Sequence, residues 1–520
     1  MRSDVTVKIF YNARVYAKFS PLKVTDSIVT MNDRIEFCGP AERAMELYGK
    51  SATSLVDLGG KTVIPGFVDS HIHLDDLGDS LVYLDLRGTA SIGELKERLK
   101  GYRKKKEGAR VLIGKGWDQE SFSEHRWPNR YDLDEAVGDI PVYLERFCEH
   151  AAVVNSRMLE IAGRNDFPDY VFPRLGDGLA SGIVKEDAST FFKERSIQLA
   201  GGQEQNLSTA FQHLLSLGVT SVGFVSSTVS SIEHIGNFPS EVGLRVSAYL
   251  RDVYSDQLLE MRKEFSGSSF LKINGIKLFA DGALGAQTAA LREPYQDDDN
   301  NYGMLSFDSD RLLKIFERFK GKDVQFSIHA IGDRGIDEVI KAVSKFGREN
   351  LLEPRIEHCT VLREDHLAPL RELKIGISVQ PAFVIDDWWA VNRLGRERSR
   401  LAYPLATLLR NGIAVGISTD SPVASPNPWV SIDAAVKRGE DEGREIFKYS
   451  KDERTDLATA LSLYTEGSAS LLMNNEIGSL EPGKFADFAL LNADPFETSD
   501  LRSIFVLETV VGGITRFRRE

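Results

Sequence analysis

The feature of this sequence that most limits its possible folds is an alternation of apolar runs with amphipathic stretches along most of the chain. Eight runs have the composition of buried strands. In order they are TVIPGFVDSHIHL (62–74), VTSVGFV (219–225), LRVSAYL (244–250), INGIKLFADG (273–282), VQFSIHA (324–330), RIEHC (355–359), KIGISVQP (374–381) and IAVGISTDSP (413–422). The stretches between them, such as DRLLKIFERFKG (310–321), carry apolar residues near i, i+3, i+4 and i+7 and predict helices. This α/β pattern indicates a parallel barrel wrapped by helices.

Two regions depart from the alternation. Residues 1–62 and 476–520 both contain short strand patterns with turns, so we expect the two chain ends to share one small β-sandwich domain. Residues 76–200 hold more helix and strand patterns than one barrel connection requires, and they predict an inserted α+β subdomain. The barrel itself would then comprise residues 63–75 and 201–475.

Composition and charge restrict the class of partner. The net charge is −13 and the lysines and arginines are scattered, which disfavours a nucleic acid or a membrane surface and favours a small-molecule substrate. The start MRSDVTVKIF lacks a continuous apolar segment, and no apolar stretch reaches the roughly 18 residues of a membrane span. Three cysteines far apart, Cys38, Cys148 and Cys359, indicate a reducing compartment, so we expect a cytoplasmic protein.

Metal-binding residue types recur at the ends of the predicted strands. His71 and His73 close the first run, one residue apart, so that on a strand both imidazoles point to the same face. His329, His358 and Asp420 lie near the ends of the fifth, sixth and eighth runs. The carboxyl ends of barrel strands meet at one mouth, and imidazole and carboxylate are ligands that zinc and similar divalent ions accept. One strand-end histidine is commonly a core residue, but four of only nine histidines at such positions predict a metal site.

A lysine in the fourth run adds a further signal. Lys277 lies between Ile276 and Leu278, so its amine is expected to be buried. Burial lowers the pKa of a lysine from about 10.4, and the neutral amine can react with carbon dioxide to give a carbamate that bridges two ions. The alternative is a lysine whose amine snorkels to the barrel rim.

These residues lie in motifs that resemble those of a known superfamily. The motifs are GIKLFADGALGAQTAAL (275–291), IHAIGDRGID (328–337), RIEHC (355–359), SVQPAF (378–383), STDSPV (418–423) and GSLEPGKFADFALLNADP (478–495). Together with PGFVDSHIHL they resemble the metal-dependent amidohydrolase superfamily, and within it the amidohydrolase-3 branch that includes N-substituted formamide deformylases. The resemblance runs nearly end to end and implies a distorted (β/α)8 TIM barrel with a β-sandwich built from both chain ends.

The resemblance also implies a cofactor and roles. It implies one or two divalent ions, for which zinc is favoured, and hydrolysis of an amide-type, non-peptide C–N bond of a small molecule. The more buried ion would be held by His71, His73 and Asp420, and the more exposed ion by His329 and His358. With two ions, a carbon dioxide carbamate on Lys277 would lie between them. Asp420 would act as general base and then as proton donor to the leaving group, and a homo-oligomer is compatible with the resemblance.

Four residues near the predicted mouth are candidates for supporting or substrate-binding roles. Asp69 lies two residues before His71 and is expected either to hydrogen-bond a ligand imidazole or to cap the strand end. Asp281 would lie on the loop that leaves the fourth strand, near the reaction. Trp388 and Trp389 follow the seventh run and could wall a hydrophobic substrate pocket or fill an interface or core.

The insertion carries two further candidates that come from the resemblance. His150, in ERFCEH, matches a branch motif that usually reads Arg-x-Asp-Gly-His, although Cys148 and Glu149 replace the Asp-Gly pair here. The substrate contact that the motif implies is therefore open. Glu186, in SGIVKED, matches another branch position and is expected either to face the site or to be a solvated surface residue.

Two alternative functions follow from the same residues. A mononuclear deaminase of the superfamily would typically carry a glutamate three residues after the fifth-strand histidine, whereas this chain has Asp333 four residues after His329. A barrel that binds metal without turnover predicts missing ligands, and the sequence has the complete set. Both observations favour hydrolysis.

Overall fold

The computed structural model describes residues 5–146, 151–163, 167–169, 171–176, 178–201, 203–238 and 242–520. The strands, numbered in chain order, are β1 (Val7–Tyr11), β2 (Arg14–Phe19), β3 (Leu22–Thr25), β4 (Ser27–Met31), β5 (Arg34–Gly39), β6 (Ser54–Asp57), β7 (Thr62–Pro65), β8 (Phe67–Ile72), β9 (Leu84–Asp85), β10 (Leu112–Trp117), β11 (Val142–Arg146), β12 (Ala151–Val154), β13 (Ile183–Lys185), β14 (Val219–Ser227), β15 (Arg245–Arg251), β16 (Leu271–Phe279), β17 (Gln325–Ala330), β18 (Leu352–His358), β19 (Gly376–Val379), β20 (Val415–Ile417), β21 (Phe488–Leu491), β22 (Val506–Val511) and β23 (Ile514–Arg518).

The helices, numbered in the same way, are α1 (Ala41–Tyr48), α2 (Leu74–Val82), α3 (Ile92–Lys105), α4 (Arg130–Ala136), α5 (Ser156–Ala162), α6 (Glu186–Ala200), α7 (Gln203–Ser216), α8 (Val229–Gly236), α9 (Leu258–Glu264), α10 (Ser309–Arg318), α11 (Asp333–Phe346), α12 (Glu364–Glu372), α13 (Phe383–Asp386), α14 (Ala390–Arg398), α15 (Ala406–Arg410), α16 (Pro428–Lys437), α17 (Phe447–Ser450), α18 (Leu457–Ser462) and α19 (Ser468–Leu471).

Eight parallel strands form the predicted barrel. Their order is β8, β14, β15, β16, β17, β18, β19, β20, and each strand overlaps one of the eight apolar runs. Helices follow the strands along the chain. In α11, Ile336, Val339 and Val343 recur at helical spacing and are buried, so one apolar face of this helix is turned to the protein interior. The expectation of a distorted TIM barrel is confirmed.

The strands pack closely enough to require a glycine. A Cβ on Gly275 of β16 would lie 1.7 Å from the carbonyl oxygen of Gln325 on β17, so a larger residue there would force the strands apart.

The first and last strands, β8 and β20, stand at the two edges of the barrel sheet. Two backbone hydrogen bonds join the residues at their carboxyl ends: the Asp420 amide donates to the His71 carbonyl at 2.9 Å, and the His73 amide donates to the Ser421 carbonyl at 3.0 Å. These bonds nearly close the barrel, and they do so where the sequence predicts metal ligands.

The two chain ends form the predicted β-sandwich. A six-stranded sheet of order β23, β22, β21, β7, β2, β3 combines strands from both ends, with Leu490 of β21 opposite Val63 of β7. A four-stranded sheet of order β5, β4, β1, β6 contributes Phe10 and Ile28 to the same hydrophobic core. The ring of Phe10 meets that of Phe488 edge to face at 5.1 Å between centroids.

Residues 75–210 form a compact unit of their own, and residues 1–74 and 211–520 form the other. The smaller unit has a five-stranded sheet of order β13, β12, β11, β10, β9, with a core that includes Trp117, Phe122 and Leu133. The insertion predicted over 76–200 lies within this unit. Within the described ranges, no helix is both long enough and apolar enough to cross a membrane.

Candidate metal centre

The site is built around two residues, His71 and Asp420, which meet at the barrel seam, where the first and last barrel strands adjoin. His71 belongs to β8, and Asp420 follows β20 in a left-handed backbone conformation with φ of 57°. Oδ1 of Asp420 lies 3.1 Å from Nε2 of His71 and 3.1 Å from Nε2 of His73. One ligand atom from each of these three residues therefore lies within 4.8 Å of the other two.

The hydrogen-bond partner of His71 fixes which of its nitrogens is free. Nδ1 of His71 lies 2.6 Å from Oε2 of Glu357. Although burial opposes ionisation, the charges of Arg355 and His71 hold the pKa of Glu357 well below its ordinary value, so the carboxylate is ionised. An ionised carboxylate only accepts hydrogen bonds, so Nδ1 carries a proton and Nε2 is the nitrogen whose lone pair can bind a metal ion.

That lone pair faces a second acceptor. Burial opposes ionisation of Asp420, but contacts with His71 and His73 hold its pKa well below the ordinary value. Among the described residues, neither Nε2 of His71 nor Oδ1 of Asp420 has a hydrogen-bond partner, and both atoms are buried. Two acceptor atoms 3.1 Å apart in a dry site require a shared cation, which is either a proton or a metal ion. The residues therefore fit a divalent ion held by imidazole and carboxylate.

His329 and His358 repeat the arrangement. Nδ1 of His358 donates to Oε1 of Gln380 at 2.8 Å, and the Gln380 amide group donates in turn to the Ser418 hydroxyl at 2.8 Å. Nε2 of His329 donates to the carbonyl of Gly282 at 3.0 Å. Each imidazole therefore has one nitrogen tied to an oxygen and the other free to bind a metal.

The four imidazoles form one cluster. Ring centroids lie 5.4 Å apart for His71 and His73, 5.0 Å for His71 and His358, and 4.6 Å for His329 and His358. Burial lowers the pKa of His329 to about 3, with a further contribution from nearby Lys277, and burial also lowers that of His358 well below its ordinary value. Both rings are therefore neutral, the form that binds metal. His73 is the most exposed of the four side chains at 22%, so the division into a buried and an exposed ion stays a prediction.

Lys277 is buried in the barrel, with 1% of its surface exposed, so it does not snorkel to the rim. Its amine has no hydrogen-bond partner among the described residues. Burial lowers the pKa of Lys277 to about 8, although the charges of Glu357 and Asp420 oppose the change. The ring of Phe279 lies 5.1 Å from the amine and 5.4 Å from the ring of His329. A larger fraction of this amine than of an exposed lysine is therefore in the neutral form that carboxylation requires.

Asp69 acts on the backbone rather than on an imidazole. Its carboxylate accepts a hydrogen bond from the Thr419 hydroxyl at 2.6 Å and from the amides of Thr419 and His71, both at 3.2 Å. These contacts tie the ends of β8 and β20 and correspond to the second expectation, strand-end capping. The carboxylate that meets the His71 imidazole is Glu357, which the sequence reasoning missed.

Strand alternation explains why Glu357 was missed. Adjacent residues on a regular strand point to opposite faces, so strand alternation places Glu357 and the predicted ligand His358 on different sides. The backbone breaks the alternation, because His358 and Cys359 have φ values of 74° and 52°. A single carboxylate inside the apolar run RIEHC was the available signal.

The remaining candidates have different positions. Asp281 is buried beside His329, 3.6 Å from Nε2, and accepts hydrogen bonds from the amides of Ala290, Ile331 and Gly332. Burial raises the pKa of Asp281 to about 7, and its contacts organise the loops around the mouth.

Trp388 is 64% exposed, and its role as a pocket wall stays a prediction. Trp389 is partly buried and packs on a cluster that includes Phe383 and Leu394. Glu186 begins α6 in the unit of residues 75–210. His150 lies outside the described residues, so its predicted contact is not placed.

A parallel barrel with four imidazoles, a carboxylate and a buried lysine at its mouth defines the class of metal-dependent hydrolase barrels. The family model of the amidohydrolase family matches residues 54–517 of this chain, so the chain belongs to that family.

Relatives and solved structures agree with this assignment. A Bacillus subtilis protein named amidohydrolase YtcJ is 29% identical over 97% of this chain and 98% of its own length. The N-substituted formamide deformylase of Arthrobacter pascens is 23% identical over 98% of each chain. The crystal structure of an uncharacterized metal-dependent hydrolase from Pyrococcus horikoshii is similar with a TM-score of 0.82 and 35% identity, over 96% of this chain and 99% of the other.

Proposed function

We propose that the chain is a metal-dependent hydrolase of an amide-type, non-peptide C–N bond in a small molecule. The observation that carries the proposal is that two buried ligand atoms without hydrogen-bond partners among the described residues, Nε2 of His71 and Oδ1 of Asp420, converge at the seam. His73 lies beside them. Zinc is the favoured ion, although this donor set also suits manganese, iron and cobalt. When bound, a divalent ion acidifies water and polarises a carbonyl oxygen, which an unassisted amide requires for attack at neutral pH.

Asp420 is the base in this proposal. Its Oδ1 faces His71 and His73, whereas Oδ2 lies 3.9 Å from Nδ1 of His358. Oδ2 is therefore the oxygen available to take a proton from the attacking water. The same carboxyl group then returns the proton to the leaving nitrogen, because it stays within reach of the reacting atoms at the rim.

Lys277 supports a second ion in the same proposal. Its amine, whose pKa is lowered to about 8 by burial, lies among charges of Glu357 and Asp420 and near the ring of His329. If the neutral amine adds carbon dioxide and releases a proton, the carbamate oxygens would join His329 and His358 as ligands for a second ion. One ion alone, held by His71, His73 and Asp420, remains compatible with hydrolysis.

A contact of Asp333 favours hydrolysis over deamination. In the alternative, an acidic residue after the fifth-strand histidine would carry the proton. Asp333 is buried at the start of α11, and one of its oxygens accepts from the amides of Arg292 at 2.8 Å and Arg334 at 2.9 Å. This carboxylate is occupied as a helix-end anchor, which leaves Asp420 as the candidate base.

The test measures products and metal together. The purified chain is assayed on a panel of N-substituted amides, N-substituted formamides among them, and on aminated heterocycles. Release of a primary or secondary amine supports the proposal, whereas release of ammonia alone from the heterocycles contradicts it in favour of a deaminase. A metal-loaded protein that converts no substrate of either panel favours the binding-protein alternative.

Metal content by plasma mass spectrometry separates one ion from two. About two ions per chain, reduced to one or none in Lys277→Ala, support a carbamate-bridged pair. One ion, unchanged by the substitution, contradicts the role of Lys277 and leaves a mononuclear site. Asp310→Asn is the matched control, because Asp310 is an exposed carboxylate on α10 whose loss should change neither metal content nor turnover.

A further inference from the structure

Glu357, a buried residue beside the candidate metal centre, is surrounded by three hydrogen-bond donors and has no role in the mechanism above. Glu357 is fully buried on β18. Its Oε2 accepts from Nδ1 of His71 at 2.6 Å. Its Oε1 accepts from the Ser327 hydroxyl at 2.6 Å and pairs with Nε of Arg355 at 2.7 Å. Donors from three barrel strands thus converge on one carboxylate.

The environment of Arg355 makes this arrangement rigid. Arg355 is fully buried and donates from Nη2 to the carbonyl of Ser70 at 3.0 Å, one residue before His71. Its guanidinium carbon lies 4.4 Å from the centre of the Tyr249 ring, and the Tyr249 hydroxyl lies 2.5 Å from Oε1 of Gln325. Arg355 therefore holds both the backbone beside His71 and the carboxylate that meets its ring.

We propose that Glu357 is a positioning residue of the metal centre, which fixes His71 as the Nδ1–H tautomer with Nε2 aimed at Asp420 and thereby sets the affinity for the ion. The proposal rests on the metal site of the proposed function. A carboxylate behind a ligand imidazole fixes the ring and raises its basicity, and loss of such a partner typically weakens metal binding by about 10–100-fold.

A glutamine cannot replace Glu357, although it has the same shape. The three groups that face the side chain, from His71, Ser327 and Arg355, are all donors. An amide presents one oxygen and one NH2 group, so at least one donor would face another donor. If the NH2 group faces His71, the ring must move its proton to Nε2, which removes the lone pair from the metal side.

The competing explanation is that Glu357 only neutralises the buried guanidinium of Arg355. That role predicts a loss of stability on substitution without a change of metal affinity in the folded protein. Glu453→Gln is the matched control. Glu453 is also buried, and it accepts from the amides of Leu405 and Thr407, both at 2.9 Å; its described contacts include no predicted ligand.

The experiment measures the zinc dissociation constant of wild type, Glu357→Gln and Glu453→Gln by competition with a chromogenic chelator. Circular dichroism and thermal melts establish the folded fraction. We expect about 10–100-fold weaker zinc binding for Glu357→Gln and less than about threefold change for Glu453→Gln. Equal affinity of wild type and Glu357→Gln would overturn the inference.

A second measurement does not depend on the folding of a variant. In zinc-free wild type labelled with ¹⁵N-histidine, the His71 resonances are assigned by comparison with His71→Gln. We expect Nδ1 of His71 to carry the proton, and an Nε2–H tautomer would overturn the inference. If wild type binds zinc but converts no substrate, the proposed function falls and the role of Glu357 stands. If wild type has no affinity for zinc, both fall.

Discussion

Asp420 and His71 are joined twice across the seam of the barrel, by a backbone hydrogen bond of 2.9 Å and by a side-chain contact of 3.1 Å between Oδ1 and Nε2. The backbone bond closes the barrel, and the side-chain contact places two metal-ligand atoms together. Closure of the fold and assembly of the site are therefore one structural event. A chain that misplaces the eighth strand loses the ligand set with it.

This double contact predicts the effect of Asp420→Asn. The lowered pKa of Asp420 means that the folded protein stabilises the carboxylate charge beside His71 and His73, and asparagine removes that charge. We expect the metal-free variant to be less stable than the metal-free wild type, to bind little zinc, and to lose about 10²–10⁴-fold in turnover. Chelator competition, thermal melts and steady-state kinetics measure the three quantities.

Asp310→Asn serves as the control, since it removes an exposed carboxylate of the same barrel. Unchanged or higher stability of the metal-free Asp420→Asn protein would contradict stabilisation of the carboxylate charge by His71 and His73. Full zinc binding by that variant would contradict the assignment of Asp420 as a ligand.

Lys277→Met is expected to stabilise the metal-free protein while abolishing activity. The folded amine has a pKa lowered to about 8 by burial, and the unfolded amine has a pKa of about 10.4. As the pH falls from about 10 toward 8, the unfolded state takes up a proton that the folded state resists, so wild type loses stability. The advantage of Lys277→Met in the free energy of unfolding should therefore grow over this range, by about 1–3 kcal/mol.

Urea unfolding of the metal-free proteins at pH 10 and pH 8 measures this difference. Lys272→Met, on the same strand, is the control. Lys272 is partly exposed, with its amine 3.5 Å from Glu476, and its substitution should change stability by less than about 0.5 kcal/mol. An advantage of Lys277→Met that shrinks toward pH 8 would show that the lysine charge is stabilised in the folded protein.

The sequence predicts the barrel well because strand burial leaves a direct signal. β8 is buried along its whole length, and the runs that end in His329 and His358 are nearly so. The ligands follow from one geometric rule, that parallel strands of a barrel end at a common mouth. Lys277 was found because an amine between two apolar residues has no other ready explanation.

The supporting residues were harder to predict because their partners are distant in sequence. Glu357 contacts the ring of His71, and Gln380 contacts the ring of His358. No local sequence pattern predicts which carboxylate or amide will hydrogen-bond which imidazole. In addition, the left-handed backbone at His358 interrupts the strand alternation, so alternation does not predict which way Glu357 points. Trp388 stays a prediction, because sequence shows that it is apolar and the structure shows that it is exposed, and neither identifies a ligand.

A buried ion pair fixes the β-sandwich to the barrel. Arg245 of β15 pairs with Asp487, just before β21, through Nε at 2.6 Å and Nη2 at 3.0 Å. Asp487→Asn leaves the guanidinium buried without its counter-charge, and we expect a loss of about 3–5 kcal/mol in the free energy of unfolding. The exposed pair of Arg518 with Glu508 provides the control, with less than about 1 kcal/mol for Arg518→Ala. Equal losses in denaturant melts would contradict a special role of the buried pair.

Asp337 is expected to give a pH dependence of the same sign as Lys277, but in the acidic range. Burial opposes its ionisation, but hydrogen bonds from Arg292 at 2.7 Å and from His366 at 3.2 Å lower the pKa of Asp337 below the ordinary range. A carboxylate with a lowered folded pKa adds stability that is complete above its unfolded pKa of about 3.9 and is lost as the pH falls toward the folded value. Asp337→Asn should therefore cost about 1–2 kcal/mol at pH 7 and progressively less below about pH 4. Asp365→Asn is the control: it removes an exposed contact of the Arg292 guanidinium and should cost less than about 0.5 kcal/mol. If the loss of stability for Asp337→Asn does not vary between pH 7 and pH 3, the role of Asp337 is packing instead of charge.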